Sequence, residues 1–236
     1  MTAYKFLAPG ACGFFSGHAW PTPKGERPGD WVHVEGEIRQ CLNGIHACTE
    51  TQLVEWLDQE LWKIELGGPV LEFEDGLVAP AGRLIRRLEG WDEDCARAFV
   101  DHCVESTVAL AAKSLSETGR KRDAEELTAA RSRPDLERKV LELARSFEEE
   151  LTSPVLFLDD VTRLARGGRP ESEELAGSQE SGGPTPFALA ANLGYVCAHI
   201  VAQLAEQEAA GAYGETFARE RLSQSAWLAG RVRLAA

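Results

Sequence analysis

The stretch Trp62-Lys-Ile-Glu-Leu66 alternates apolar and polar side chains along its whole length. A period of two residues puts the apolar side chains on one face of an extended chain, which predicts a half-buried β-strand. Short segments of similar character lie on both sides of it and are separated by glycines, so we predict a mainly antiparallel sheet. These segments are Trp31-Val-His-Val34, Val70-Leu-Glu-Phe73 and Arg83-Leu-Ile-Arg-Arg-Leu88.

One helix is predicted just before this central strand. Thr49 and Gln52 have the spacing of a capping box. Leucines then recur at every fourth position, at Leu53, Leu57 and Leu61, as expected for one face of a helix. Farther upstream, the dense glycines and prolines between Pro9 and Gly29 predict a long loop that is ordered by its contacts.

From Trp91 onwards the apolar residues follow a helical period. Pro134 and Pro186 stand where a proline in the first turn begins a helix. Several helices of this length predict an α-helical bundle. Their apolar faces are formed by Cys95, Phe99, Cys103, Val104, Val108, Leu115, Leu136, Val140, Leu143, Phe147, Leu151, Phe187, Leu189, Leu193, Val196, Ile200, Leu204, Phe217, Leu228 and Val232.

The two patterns together predict an α+β fold with two domains. A small N-terminal α/β domain with a mainly antiparallel sheet covers residues 1–90, and the helical bundle covers residues 91–236. Within the bundle, residues 167–184 are rich in Gly, Ser, Glu and Pro, which predicts a flexible linker.

The chain has 236 residues and a formal net charge of −13. Nucleic acids and anionic membranes bind proteins through clustered Lys and Arg. Because this chain is acidic, we expect neither as a partner. The N-terminus has no basic lead followed by a long apolar run, so no signal peptide is expected and the six cysteines should be reduced thiols of a cytoplasmic protein. Polar residues interrupt the apolar stretch 187–204, which predicts a buried helix rather than a membrane span. The oligomeric state stays open.

The segment Cys41-Leu-Asn-Gly-Ile-His-Ala-Cys48 gathers two thiols, an imidazole and a turn glycine. Three interpretations of this Cys/His cluster remain open. In the first, both cysteines are small buried residues and His46 caps a turn. In the second, Cys41, His46 and Cys48 bind zinc with a fourth ligand such as Cys12 or His18. In the third, the cluster takes part in catalysis or ligand binding. We expect no bound metal and no cofactor, because three ligands leave a structural zinc site incomplete.

Other candidate residues have simpler alternatives. Trp56 and Trp62 belong to a group of tryptophans that either lines a ligand groove or fills the core of a small domain. Glu220, Gln224 and Trp227 share one face of the last predicted helix, where they meet a partner, line the interior of the bundle or form an ordinary solvated face.

Cys95, His102 and Cys103 do not form a second metal site. Cys95 and Cys103 are separated by about 12 Å along a helix axis, and neighbouring residues point about 100° apart. We therefore predict that these residues face the core of an amphipathic helix.

Residues 4–91 carry several motifs that occur together in one family. They are Tyr4-Lys-Phe-Leu7, Cys41-x-x-Gly-Ile-His-Ala-Cys48, Trp56-Leu57, Leu61-Trp-Lys-Ile-Glu-Leu66 and Arg83-Leu84. This region resembles an uncharacterised domain family of phage and actinobacterial proteins marked by a Cys-x-x-Gly-(Phe/Ile)-His-x-Cys core, which brings no established activity. The order of strand, Gly-x-His, helix and strand ending in Glu is also similar to the ADP-ribosyltransferase-like fold. That resemblance implies His46 and Glu65 as active residues and NAD as the ligand.

Residues 91–236 carry a second set of motifs, namely Trp91-x-x-x-Cys95-Ala96, Ala198-His199 and Glu220-Arg-x-x-Gln224-x-x-Trp227-Leu228. This region resembles the helical family of bacterial immunity proteins, which implies a protein partner. Our first hypothesis is a non-catalytic, cytoplasmic interaction protein whose acidic surface suits a basic partner. The alternative is an enzyme or small-molecule binder at the Cys/His cluster, with His46, Cys48 and Glu65 as its catalytic candidates.

Overall fold

The structure is a computed structural model that describes residues 1–146, 153–165 and 184–234. It confirms the predicted α+β class, because an N-terminal region of antiparallel strands is followed by a helical region.

The chain divides into two compact units. The sheet unit comprises residues 1–97 together with the chain from Arg221 onwards, and the helical unit comprises residues 98–220. The predicted division at residue 90 assigned the whole C-terminal region to one helical domain. The grouping of Arg221 with the sheet unit could not be foreseen, because it depends on contacts between residues far apart in the chain.

The sheet unit contains a four-stranded antiparallel sheet built around the stretch that begins at Trp62. Along that strand, Ile64 and Leu66 are buried whereas Lys63 and Glu65 are partly exposed, so the alternation of the sequence corresponds to two faces of the sheet. The strand order is β1 (Thr2–Leu7), β4 (Glu60–Gly67), β7 (Ala81–Arg87) and β2 (Val32–His33).

A second antiparallel sheet of three strands completes this unit. Strands β1 and β6 (Leu77–Ala79) were not among the predicted strands; β6 is short and apolar throughout, so it shows no period of two. The order is β3 (Ile45–Ala47), β6 (Leu77–Ala79) and β5 (Leu71–Glu72). The core of the unit consists of Ala3, Leu7, Ala11, Trp20, Ile45, Ala47, Trp62, Ile64, Leu66, Leu77, Ala79 and Leu84.

The helix predicted before β4 is a short 3₁₀ helix, Glu50–Glu55. Its predicted N-terminal contact is present, because the side-chain oxygen of Gln52 accepts a hydrogen bond from the Thr49 N–H at 3.0 Å. The prediction of a longer helix was wrong, since Leu57 lies beyond its end and Leu61 belongs to β4. The regularly spaced leucines therefore do not belong to one helix, because Leu53 lies in the 3₁₀ helix and Leu61 lies in the strand.

Arg221 joins the C-terminal segment of the sheet unit to the end of this 3₁₀ helix. Its guanidinium donates to both carboxylate oxygens of Glu55, at 2.9 and 3.1 Å, and to the carbonyl oxygen of Val54. A further hydrogen bond of 3.0 Å runs to the side-chain oxygen of Gln224. The Arg221 side chain is only 7% exposed, so these partners replace the water that burial removes.

The described residues contain six α-helices. Pro134 and Pro186 each stand in a first turn, as predicted, and the Thr185 hydroxyl accepts a hydrogen bond from the Ala188 N–H at 3.2 Å. The helices are α1 (Glu93–Glu117), α2 (Lys121–Thr128), α3 (Arg133–Ser146), α4 (Ser153–Ala165), α5 (Pro186–Glu208) and α6 (Tyr213–Val232). The predicted core residues Phe147 and Leu151, and the predicted linker except for Pro184, lie outside the described residues.

Helix α5 buries mainly small side chains. Of the six large apolar residues predicted for its core face, Leu193 and Ile200 are buried and the others are half-buried. The remaining buried positions are Ala190, Gly194, Cys197, Ala198 and Ala202. Among the described residues, α5 is also the one helix long and apolar enough to cross a membrane by length and composition, a property that a core helix of a soluble protein shares.

Replacing Arg221 with methionine should destabilise the sheet unit. The substitution leaves the Val54 carbonyl without this donor and Glu55 without its counter-ion, and lost hydrogen bonds to charged groups cost about 2 to 3 kcal/mol. Urea unfolding measures the change. Exposed Arg219, on the same helix, is the control, and Arg219→Met should change the free energy of unfolding by less than about 0.5 kcal/mol. Equal stability of the two variants would contradict this role of Arg221.

Candidate functional site

The Cys/His cluster lies in a tight turn that leads into β3. Gly44 has a φ of 138°, and a Cβ at this position would overlap the side chain of Val78 on the paired strand β6. Cys41 has a φ of 60°, a left-handed conformation that is uncommon for residues other than glycine. The turn therefore needs interactions that compensate for its backbone strain.

His46 supplies these interactions. The Cys41 N–H donates to Nε2 of the His46 ring at 2.9 Å, and Nδ1 lies 3.1 Å from the carbonyl oxygen of Gly44. Because a backbone N–H only donates, Nε2 must be the acceptor and Nδ1 must carry the proton. Both ring nitrogens of the neutral imidazole are thus used within its own turn, and neither is left to act as a base or a metal ligand.

Lys5 on β1 is a neighbour of this turn, and no pattern in the sequence indicates that it lies there. Its ammonium donates to the His46 carbonyl oxygen at 2.6 Å and lies 5.2 Å from the centre of the Trp20 ring. Burial lowers the pKa of Lys5 to about 8, an effect that a thiolate at Cys48 would oppose. Burial, and next the positive charge of Lys5, hold the pKa of His46 below its ordinary value of 6.5, against the opposing effects of the Gly44 carbonyl and Asp75.

Cys48 is fully buried beside β1. Its backbone exchanges two hydrogen bonds with Tyr4, at 2.8 and 2.9 Å, and its thiol lies 3.5 Å from the Tyr4 carbonyl oxygen. Burial raises the pKa of the Cys48 thiol to about 12, although Lys5 opposes this shift. Since the thiolate is the form that attacks electrophiles and binds zinc, Cys48 is held in the unreactive form.

Glu65 lies on β4 and His46 on β3, which belong to different sheets. The Glu65 carboxylate forms an ion pair with Arg83 of the neighbouring strand, with Nε at 2.7 Å. The guanidinium of Arg83 in turn lies 4.7 Å from the centre of the Trp31 ring. The two residues that the ADP-ribosyltransferase-like resemblance implies therefore have separate partners.

The two candidate tryptophans, Trp56 and Trp62, contact other residues of the sheet unit. Trp56 is half-buried, its ring centre is 6.2 Å from that of His46, and its indole N–H donates to the Asp75 carbonyl oxygen. Trp62 is 7% exposed and lies in the core, where its indole N–H donates to the Glu60 carboxylate at 3.0 Å. Glu60 was not identified from the sequence, because only the structure shows that it also accepts the backbone N–H groups of residues 10 and 11.

No ligand set for a metal ion is present in residues 1–146, 153–165 and 184–234, where no three His, Cys, Asp or Glu side chains are arranged to hold one. Cys12, which we considered as a fourth zinc ligand, points its thiol at the Gly17 carbonyl oxygen at 3.2 Å. His18 packs edge-to-face on Trp20.

The partner-binding candidates on α6 do not share an exposed face. Gln224 is fully buried and bonded to Arg221, so the prediction that it meets a partner needs correction. Glu220 and Trp227 are half-buried. The reason is that α6 from Arg221 onwards belongs to the sheet unit, where Arg221 bonds to Glu55, Val54 and Gln224.

A cluster of four aromatic side chains lies on the helical unit. Tyr195 and His199 of α5 are exposed, and they contact Tyr213 and Phe217 of α6 with ring centres 5.5 to 6.5 Å apart. The Tyr213 hydroxyl lies 2.7 Å from Nδ1 of His199. We call this cluster the aromatic patch. Its sequence signal is the spacing of four residues within each pair, which puts both members on one helix face.

A cavity of about 150 Å³ lies between α2 and α3. Pockets for small molecules usually measure about 300 to 1,000 Å³ and are largely apolar. This cavity is smaller, and most of its lining residues are charged or polar, namely Arg120, Asp123, Glu126, Lys139, Glu142 and Ser146.

No protein-family profile, curated protein or solved structure matches this chain. The resemblances to the phage and actinobacterial family, to the ADP-ribosyltransferase-like fold and to bacterial immunity proteins therefore stay predictions.

Protonation of His46 should destabilise the protein in acid. Because the pKa of His46 is lower in the folded state than in the unfolded state, the unfolded state binds more protons once the pH falls below about 6.5. The stability from neutral His46 is thus present above that pH and is lost as the pH decreases further. We expect His46→Gln to reduce the difference in urea midpoint between pH 7.5 and 5.5. His33→Gln, at an exposed histidine, should keep the wild-type difference, and an unchanged pH dependence in His46→Gln would contradict this account.

The purified protein should contain less than one equivalent of zinc. Both nitrogens of His46 are occupied and the Cys48 thiol stays protonated, so Cys41 alone remains as a ligand of the cluster. Elemental analysis after dialysis against a mild chelator measures the content. Stoichiometric zinc that is lost together with structure in Cys48→Ser would overturn this expectation.

Proposed function

We propose that this protein is a non-catalytic binding protein whose helical unit recognises a basic segment of a protein partner through the aromatic patch. The observation that carries the proposal is the patch itself, in which Tyr195 remains 54% exposed although it packs against two other rings. Exposed aromatic side chains of this kind are enriched where proteins bind one another, because they bury a large area with little loss of conformational freedom.

Charge supports a basic partner. Residues 98–220 contain 22 Asp or Glu and 13 Lys or Arg, so the helical unit carries most of the net charge of −13. Near the patch, the sequence 186–212 contains Glu206 and Glu208 but no lysine or arginine. A partner that brings arginine or lysine gains attraction to these carboxylates, and its cations can also stack on the aromatic faces.

The state of the Cys/His cluster supports binding rather than catalysis. A general base needs an accessible nitrogen with a pKa near the working pH, whereas His46 has both nitrogens engaged and a lowered pKa. A thiol nucleophile needs a lowered pKa, whereas that of Cys48 is raised to about 12. The predicted enzyme at this cluster therefore has less support than the binding protein.

Substituting the patch should weaken the partner complex. We would use wild-type protein, Tyr195→Ala/His199→Ala and Leu141→Ala as baits in host extract, because Leu141 is an exposed apolar residue of α3 outside the patch. Proteins retained by the wild type and the Leu141 control but lost by the double variant would then be produced in pure form. Titration calorimetry should give a Kd at least about tenfold higher for the double variant, a typical effect of removing an aromatic hot spot.

Three results would contradict the proposal. They are a partner that binds the double variant as tightly as the wild type, a partner with an acidic binding segment, and the absence of any protein retained by the wild type. Circular dichroism of the double variant verifies its fold, which should be intact because both substituted side chains are exposed.

A further inference from the structure

Two cysteines meet inside the helical unit, far along the chain from the Cys/His cluster. Cys103 on α1 and Cys197 on α5 are 1% and 0% exposed. The hydroxyl of Thr107, one turn after Cys103, lies 3.2 Å from the Cys103 carbonyl oxygen and 3.4 Å from the Cys197 sulfur. The thiols of Cys103 and Cys197 are also hydrogen-bonded to each other. The two side chains, one on α1 and one on α5, are therefore neighbours.

The surroundings of Cys197 differ from those of the other buried thiols. Its hydrogen bond with Cys103, followed by that with Thr107, lowers the pKa of Cys197 below the ordinary value of 9.0, although burial and Glu220 oppose this shift. Burial instead raises the pKa of Cys48 to about 12 and that of Cys95 to about 11. Cys197 thus reaches the thiolate form more readily than these two cysteines.

We propose that Cys103 and Cys197 form a disulfide when the protein encounters hydrogen peroxide, and that this bond cross-links α1 to α5. In the first step the Cys197 sulfur attacks one peroxide oxygen, the O–O bond breaks, and a sulfenic acid and one water are formed. In the second step the Cys103 sulfur attacks the sulfenic sulfur, the S–O bond breaks, and the second water leaves. Two thiols and one peroxide give one disulfide and two waters, so the sulfurs lose two electrons and the peroxide gains them.

The cross-link would hold the part of α5 that presents the aromatic patch. Cys197 lies between Tyr195 and His199 in the sequence and on the opposite, buried side of the same helical turn. This functional consequence rests on the proposed function, whereas the formation of the bond does not. An experiment on the bond itself can therefore fail or succeed independently of any partner.

The test uses the full-length protein with Cys12→Ser and Cys41→Ser, because these two cysteines are the ones that have solvent access. The protein is treated with hydrogen peroxide, unfolded in the presence of a maleimide and digested for mass spectrometry. We expect one linked peptide pair that contains Cys103 and Cys197 and has lost about 2 Da, the mass of the two thiol hydrogens. Cys48 and Cys95 serve as internal controls and should carry the maleimide.

Dithiothreitol should abolish the linked pair, and adding Cys197→Ser should prevent its formation. The oxidised protein should also melt at a higher temperature than the reduced protein, because a bond between residues 94 positions apart restricts the unfolded chain. The proposal is overturned if Cys103 and Cys197 both carry the maleimide after peroxide treatment, or if either becomes a sulfinic or sulfonic acid without a linked pair. The peptide map of the protein that keeps both cysteines decides the matter even if the Cys197→Ser variant does not fold.

Discussion

The buried guanidinium of Arg221 is the interaction on which the arrangement of the sheet unit depends. It reaches Glu55 and Val54 across more than 160 residues of chain and bonds to a carboxylate, a backbone carbonyl and a side-chain amide. A buried charge is tolerated only when its donors find partners, because water no longer solvates them. The end of the 3₁₀ helix and the C-terminal segment must therefore remain together. The Trp91 indole adds a second anchor to this region by donating to the Asp58 carbonyl oxygen at 2.7 Å.

The same requirement, that polar groups removed from water have hydrogen-bond partners, explains why the polar groups of the Cys/His cluster are used to stabilise its own turn. Cys41 adopts a left-handed conformation, and its N–H donates a hydrogen bond to the His46 ring. The ammonium of Lys5 is satisfied by the carbonyl of His46 and by the face of Trp20. Residues that carry reactive groups in a sequence need not be reactive in the fold, since their hydrogen bonds and burial determine whether they are charged and accessible.

Helix α5 has a buried side and an exposed side with different roles, although its sequence is one largely apolar segment. Its small buried side chains allow close packing and bring Cys197 to Cys103, whereas its opposite side presents Tyr195 and His199. A helix repeats every 3.6 residues, so Cys197 can face inward although residues two positions away on either side face outward. Burial and exposure on one helix thus support both the packing of the helical unit and its proposed role in binding.

The sequence by itself determined the α+β class, strand β4, the starts of α3 and α5 and the burial of Cys95 and Cys103, because these depend on local periodicity, capping and proline geometry. It did not determine the length of the helix after Thr49, since the spacing of Leu57 and Leu61 fits a helix as well as a loop and a strand. Only the tertiary structure decided that Gln224 is buried, that Glu65 pairs with Arg83 and not with His46, and that four aromatic rings meet on one surface. These features depend on contacts between residues that are distant in the chain, and no local period specifies which distant side chain satisfies a buried polar group.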